Sequence, residues 1–207
     1  MEGKRRGNLF VLSGPSGTGK GAICAGLSTL TDAMLSVSMT TRAPRENEVD
    51  GESYCFVDKD SFSKAIAEDG LIEYAEVFGE YYGTPKAPVI ASLCEGRDVI
   101  LEIEVHGAKQ VRERMPEAVL VFVSPPSLEE LKKRIEGRGT ESPERIEKRL
   151  DRVSMEVAQI ENYDYLVINN SLESAIDDIH AIMKAEKLRV GEDTKGIISK
   201  CLIRDKK

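Results

Sequence analysis

The run Asn8-Leu9-Phe10-Val11-Leu12-Ser13, continued by Gly14-Pro15-Ser16-Gly17-Thr18-Gly19-Lys20, decides the fold class. Its first six residues are a short apolar run closed by a glycine-rich turn, the pattern of a buried strand. Beyond Lys20, the residues Ala22, Ile23, Leu27 and Leu30 recur at helical spacing. Strand, glycine loop and helix in this order form the context that a phosphate-binding P-loop requires. Glycines allow positive φ and close approach of the backbone, so successive N–H groups can surround phosphate oxygens. The helix N-terminus adds its partial positive charge. Lys20 then reaches the β- and γ-phosphates and follows charge as a phosphoryl group moves. A glycine turn with an incidental lysine is the plainer reading, and the flanking strand and helix argue against it. The usual hydroxyl after the lysine is missing: Gly21 and Ala22 stand there. Ser16 and Thr18 are the nearest alternatives for contacting a metal.

Working outward, Leu35 to Met39 reads as a second short strand. Asp98 to Glu104, Ala118 to Ser124 and Tyr165 to Asn169 complete a set of about five. Helical stretches fall between and after them, at Ala87 to Glu95, Ala108 to Met115, Leu128 to Arg138 and Ser171 to Leu188. Such alternation predicts a mostly parallel sheet covered on both faces. Two stretches break it. Thr40 to Pro85, rich in Arg, Pro, Gly and Tyr, reads as a small mixed insertion with strand pieces at Ser53 to Val57 and Leu71 to Val77. A helix begins near Ser61 within it. Residues 131–152 carry eight basic and five acidic side chains. Ser127 and Glu130 make a capping box for the helix that enters this region. Ser142 followed by Pro143 starts a second helix, whose apolar face is Ile146, Leu150, Val153, Val157 and Ile160. Taken alone, this basic pair also fits a solvated surface. Alternation places Glu102 and Glu104 on one face at the carboxyl end of a central strand, where they form a site or an exposed strand end.

The chain has 207 residues with 36 Asp or Glu against 29 Lys or Arg, a formal net charge of −7. That balance argues against nucleic-acid or anionic-membrane binding, and it permits an anionic small substrate if cations are concentrated locally. Cys24, Cys55, Cys94 and Cys201 form no CxxC pair, and His106 and His180 are too far apart for a metal motif, so free thiols in a reducing cytosol are expected. No apolar run is long enough for a membrane span, which again points to the cytoplasm. Oligomeric state is not legible.

Several further motifs resemble the guanylate kinase family, in order and over nearly the whole chain. They are Ser38-Met39-Thr40-Thr41-Arg42-Ala43-Pro44-Arg45 with Glu48, Gly51 and Tyr54, then Ile72-Glu73-Tyr74-Ala75 and Tyr81-Tyr82-Gly83-Thr84. Leu101 to Ala108, Gly137 to Ser142 and Asn169 follow. The resemblance implies an α/β P-loop kinase with a mostly parallel five-stranded sheet, a small mixed GMP-binding insertion and a helical lid. The divisions expected are core at 1–37, the insertion at 38–86, core at 87–130, the lid at 131–152, and core with a tail at 153–207. The activity implied is transfer from MgATP to GMP or dGMP.

Site roles follow from the same resemblance. Arg42, Arg45, Tyr54 and Tyr82 match positions that hold the GMP phosphate, and Ser38, Glu73 and Thr84 match those that read guanine. Glu102 and Glu104 match acidic positions near guanine and metal, and His106 stands where relatives often carry Gln. Gly14, Pro15, Ser16, Gly17, Thr18, Gly19, Lys20, Gly21 and Ala22, with Arg134 and Asn169, form the implied ATP site. Lys20, Arg42, Arg138 and Arg149 are the implied catalytic cations, and no metal ligand is assigned. The base chemistry agrees, because guanine presents N1–H and N2–H donors beside its O6 acceptor. A carboxylate such as Glu73 accepts from the first two, and a hydroxyl such as Ser38 donates to O6. Two readings compete: a kinase-like scaffold module that binds phosphopeptides, which typically lacks an intact P-loop, and a P-loop kinase for another monophosphate.

Overall fold

The computed structural model describes residues 5–77, 79–136 and 153–190, without the side chains of residues 134–136. Five strands form the main sheet: β1 (Leu9–Ser13), β2 (Met34–Leu35), β7 (Val99–Glu102), β8 (Val119–Ser124) and β9 (Tyr165–Ile168). Their order is β2-β7-β1-β8-β9, and every pairing is parallel. The second sheet is mixed and runs β4-β3-β6-β5, from β3 (Met39–Thr40), β4 (Cys55–Phe56), β5 (Leu71–Val77) and β6 (Glu80–Pro85).

Strand β1 shows why the main sheet needs cover on both sides, since all five of its residues are buried. Successive side chains point to opposite faces. Leu9 and Val11 join Val99, Leu101 and Leu120 on one face, under α3 (Lys86–Cys94) and α4 (Val105–Arg114). Phe10 and Leu12 join Ile100, Val121 and Val123 on the other, under α1 (Lys20–Leu30) and α6 (Leu172–Lys187). Each fully buried side chain of this kind contributes roughly 1.5–3 kcal/mol relative to exposure. At the opposite end from the P-loop, buried Asp98 accepts the Asn8 N–H at 2.9 Å and pairs with Lys187 Nζ at 3.0 Å. It thereby ties the starts of β1 and β7 to the end of α6.

Two expectations change. Leu35 to Met39 is not one strand: Met34–Leu35 edges the main sheet and Met39–Thr40 belongs to the second. The Ser36 N–H still bonds to the Ile100 carbonyl at 3.0 Å, whereas the Ser38 carbonyl already accepts from Cys55 of β4 at 2.8 Å, so the intervening residues carry the chain between sheets. The strand expected over Asp98 to Glu104 stops at Glu102, and Glu104 is the N-cap of α4, with φ −77° and ψ 163°. The shared strand face for Glu102 and Glu104 therefore does not exist. In the insertion, α2 (Lys59–Ala67) is capped by Asp58, whose carboxylate accepts the Ser61 N–H at 2.7 Å. The helix expected to Arg138 is described as α5 (Leu128–Glu136), and the Ser127 hydroxyl accepts the Glu130 N–H at 3.1 Å as its cap. The second helix from Ser142 begins outside the described residues.

Candidate active site

The glycine loop crosses the carboxyl end of β1, the centre of the main sheet. Gly14 has φ 137°, and a Cβ there would overlap the Val123 carbonyl of β8, so glycine is required twice over. Gly19 caps α1 in the left-handed region at φ 89° without a side-chain bond, leaving the first N–H groups of the helix turned toward the loop. Inside the loop, the fully buried Thr18 donates its hydroxyl to the Pro15 carbonyl at 2.9 Å. The Thr18 carbonyl in turn accepts from Asn169 Nδ2 at 2.7 Å. Asn169, expected to contact ATP, thus braces the loop backbone from the end of β9. Thr18 has its hydroxyl committed inward, which leaves exposed Ser16 as the loop hydroxyl facing solvent.

Lys20 Nζ donates to the Gly14 carbonyl at 2.7 Å and to the Pro15 carbonyl at 3.0 Å. Burial lowers its pKa, and the carboxylates of Glu102, Glu104 and Glu156 oppose that fall. Glu102 pairs with Leu12 in the parallel register, which sets it beside the P-loop. Both its carboxylate oxygens lie 3.5 Å from where a Cβ on Gly21 would stand. The Glu102 carboxyl is exposed to the cleft, and desolvation by the flanking protein raises its pKa against the pull of Lys20. Glu102 and Glu104 therefore converge on Lys20 even though they do not share a strand. Glu156, from the segment after residue 152, joins them, and nothing in the sequence pattern points to it. The same surroundings push the buried Cys24 thiol up to about 12, through burial first and Glu102 second.

Beside the second sheet, each guanidinium nitrogen of Arg42 makes one hydrogen bond, which leaves one N–H on each Nη for a ligand. Its Nε donates to Tyr82 Oη at 3.2 Å, Nη1 to the Ala43 carbonyl at 2.7 Å, and Nη2 to Glu48 Oε1 at 2.8 Å. Its guanidinium carbon also lies 5.4 Å from the centre of the Tyr54 ring, and Tyr54 meets Tyr82 edge-on at 6.0 Å. Bonding to Glu48 raises the Arg42 pKa, so the cation is held charged. Glu48 Oε2 also accepts the Arg45 N–H at 2.8 Å, which fixes the backbone of the second arginine while its side chain stays exposed. Glu48 is the organiser here: its place in the motif is visible in the sequence, its role is not. Under the role that the resemblance implies for Arg42, Glu48→Gln should raise the KM for GMP about three- to tenfold and leave the KM for ATP unchanged, because the charge-assisted bond that aims Arg42 is lost. Steady-state kinetics with each substrate varied in turn checks this.

Glu73 and Thr84 form a buried pair deeper in the same lobe. The Thr84 hydroxyl donates to Glu73 Oε1 at 2.6 Å, with Thr84 1% and Glu73 5% exposed. A break in the β5–β6 register between Leu71 and Tyr74 re-aims Glu73. Burial raises the Glu73 pKa, bonds from Thr84 lower it, and Glu104 raises it again. Tyr54 likewise has its pKa raised by burial first, and it feels Glu102. Tyr54 and Glu73 thus feel the charges of Glu102 and Glu104, which stand at the carboxyl end of β7 in the main sheet. Ser38 lies on the crossing between sheets with its carbonyl bonded to Cys55, and His106 is exposed on α4. Arg138 and Arg149 fall outside the described residues, as does the side chain of Arg134. Among the described residues, no group of three or more His, Cys, Asp or Glu could hold a metal ion, and no helix is long and apolar enough to cross a membrane. Cys24, Cys55 and Cys94 are free thiols.

A glycine loop between β1 and α1, a buried carboxylate–hydroxyl pair and an arginine–tyrosine cluster together fit nucleotide phosphotransfer. Residues 6–186 match the family model described as Guanylate kinase. The chain belongs to the guanylate kinase family. It is 52% identical to a guanylate kinase of Thermus thermophilus over 186 residues, covering 90% of this chain and 84% of that one. It is 48% identical to the guanylate kinase of Clostridium acetobutylicum over 194 residues, covering 94% and 93% of the two. The crystal structure of guanylate kinase from Anaplasma phagocytophilum matches with a TM-score of 0.79 at 33% identity, over 98% of this chain and 99% of that one. Guanylate kinase family membership makes the protein an enzyme, a nucleoside monophosphate kinase, and settles the fold as that of a P-loop kinase.

Proposed function

We propose that this family member transfers the γ-phosphoryl group of ATP directly to the phosphate of GMP or dGMP, giving ADP and GDP or dGDP. The observation that carries this reading is the buried Glu73–Thr84 pair. A buried carboxylate accepting one hydroxyl has capacity left for the adjacent N1–H and N2–H donors of guanine. Adenine reverses that donor pattern and would leave the pair unmet, at a cost of about 1–3 kcal/mol. Arg42, Arg45, Tyr54 and Tyr82 hold the GMP phosphate, and Ser38 adds a hydroxyl for O6. The P-loop N–H groups and Lys20 hold the ATP phosphates, with Asn169 keeping the loop in shape. Lys20 neutralises charge on the moving phosphoryl group, and Arg138 and Arg149 do so from residues 131–152. Closure of 38–86 and 131–152 over the nucleotides excludes water that would otherwise take the phosphoryl group.

The donor set fits Mg²⁺ carried in with ATP. Gly21 and Ala22 offer no hydroxyl, whereas Glu102 stands beside Lys20 and Gly21, and Mg²⁺ is commonly held by phosphates, water and one or two carboxylates. When bound, the ion would neutralise phosphate charge, with Glu102 as its protein neighbour. A cytoplasmic enzyme acting on small nucleotides, without nucleic-acid or membrane partners, agrees with the acidic composition.

Separation of products from an ATP and GMP mixture tests the reaction. ADP and GDP should form one for one, with little ADP released when GMP is absent; ADP without GDP would overturn it. The acid limb of kcat/KM for GMP supplies a second check. Because burial raises the Glu73 pKa, the carboxylate is lost at a pH above the ordinary value of 4.5, and a protonated Glu73 cannot accept from both guanine donors. The limb should therefore lie above that value, and Glu73→Gln should abolish it.

A further inference from the structure

We propose that Gly107 is a positioning residue for guanine selectivity: its missing Cβ is the space in which the Glu73 carboxylate stands. The inference rests on the reading of Glu73 as the acceptor for guanine.

Gly107 occupies the first turn of α4 in a helical conformation, so no left-handed backbone requires glycine there. Glycine is also among the poorest helix formers. Space is what this position needs. A Cβ added at Gly107 would overlap Glu73 Oε2 and stand 3.1 Å from Glu73 Cδ, with Ile103 Cδ1 at 3.4 Å. The helix cannot step back to relieve this, for two reasons. Ala108 and Val111 are packed into the core at 1% and 0% exposure. One and two turns along, Gln110 and Arg114 fasten α4 to the strand that carries Glu73. Gln110 Oε1 accepts the Tyr74 N–H at 3.2 Å and Gln110 Nε2 donates to the Tyr74 carbonyl at 2.7 Å, while Arg114 Nη1 donates to the Leu71 carbonyl at 2.8 Å.

The strand cannot step back either. Opposite it, a Cβ on Gly83 would stand 2.9 Å from the Glu73 carbonyl, so the main chain is already at close approach there. The element free to yield is the carboxylate itself, and Thr84 pins one of its oxygens at 2.6 Å. An alanine at 107 therefore turns the second oxygen away from the cleft, where the reading places the guanine donors. Selectivity for guanine is set partly by a residue that offers no polar atom of its own side chain.

The test compares Gly107→Ala, Glu73→Ala and the double variant, measuring KM for GMP and for ATP and the preference for GMP over AMP. Gly107→Ala should raise the KM for GMP about tenfold and narrow the preference, with the KM for ATP within about twofold of the parent. In the Glu73→Ala background the same change should add less than about twofold, because the group it displaces is gone. An equal rise in both backgrounds overturns the inference, as does no change from Gly107→Ala when Glu73→Ala has a large effect. If Glu73→Ala itself leaves GMP binding and preference intact, the underlying reading of Glu73 fails instead. Should Gly107→Ala not fold, the double variant should fold, since the overlap is removed; failure of both to fold counts against the inference.

Discussion

Lys20→Met will lower turnover by about a thousandfold or more while leaving the folded structure intact. The side chain ends beside two loop carbonyls and three acidic neighbours, and the proposed function makes its ammonium the P-loop cation at the ATP phosphates. On the proposed function, removing it deletes charge where negative charge shifts between donor and acceptor oxygens, whereas methionine keeps the length and the apolar stem. Loop geometry should survive, because Thr18, Asn169, Gly14 and Gly19 hold it independently of the ammonium. Single-turnover kinetics, with circular dichroism as the fold control, checks both halves. Near-normal turnover would remove Lys20 from the chemistry.

Glu73→Gln is the second large effect. The substitution keeps shape and the partnership with Thr84, but it turns one acceptor oxygen into an NH₂ donor. That donor would face the N1–H and N2–H donors of guanine, a like-with-like pairing inside a buried site. A site built on hydrogen bonding rejects a mismatched partner far more strongly than an apolar pocket does. The kcat/KM for GMP should fall about a hundredfold, and the preference for GMP over AMP should narrow, with the KM for ATP held. An unchanged preference would take Glu73 out of base recognition.

Much of this molecule is legible in its sequence, and the exceptions share a cause. The parallel sheet is legible because β1, β7 and β8 are runs of apolar residues separated by helical spacing, which is a local signal. The break between β2 and β3 is not, because Leu35 to Met39 is equally suited to either sheet. Only the bonding of Ser36 to β7 and of Ser38 to β4 divides it. Glu104 looks like a strand residue by alternation, yet helix α4 begins one residue later and takes it as a cap. The positions of Lys20, Arg42 and Glu73 are visible in motifs. Glu48, Asn169 and Gly107 also stand in the motifs, but their roles are not legible there, since they act through partners 6, 151 and 34 residues away in sequence. Spacing rules report neighbours on one helix or strand, whereas the Asn169 and Gly107 contacts cross between elements and the Glu48 contact closes within an irregular loop.

The most direct measurement is ADP release from ATP with GMP, dGMP, AMP, UMP and CMP offered in turn to the full chain. Release should depend on GMP or dGMP, with AMP, UMP and CMP slower by about a hundredfold or more. Equal rates with AMP and GMP would contradict the assignment of the second sheet as a guanine-reading site.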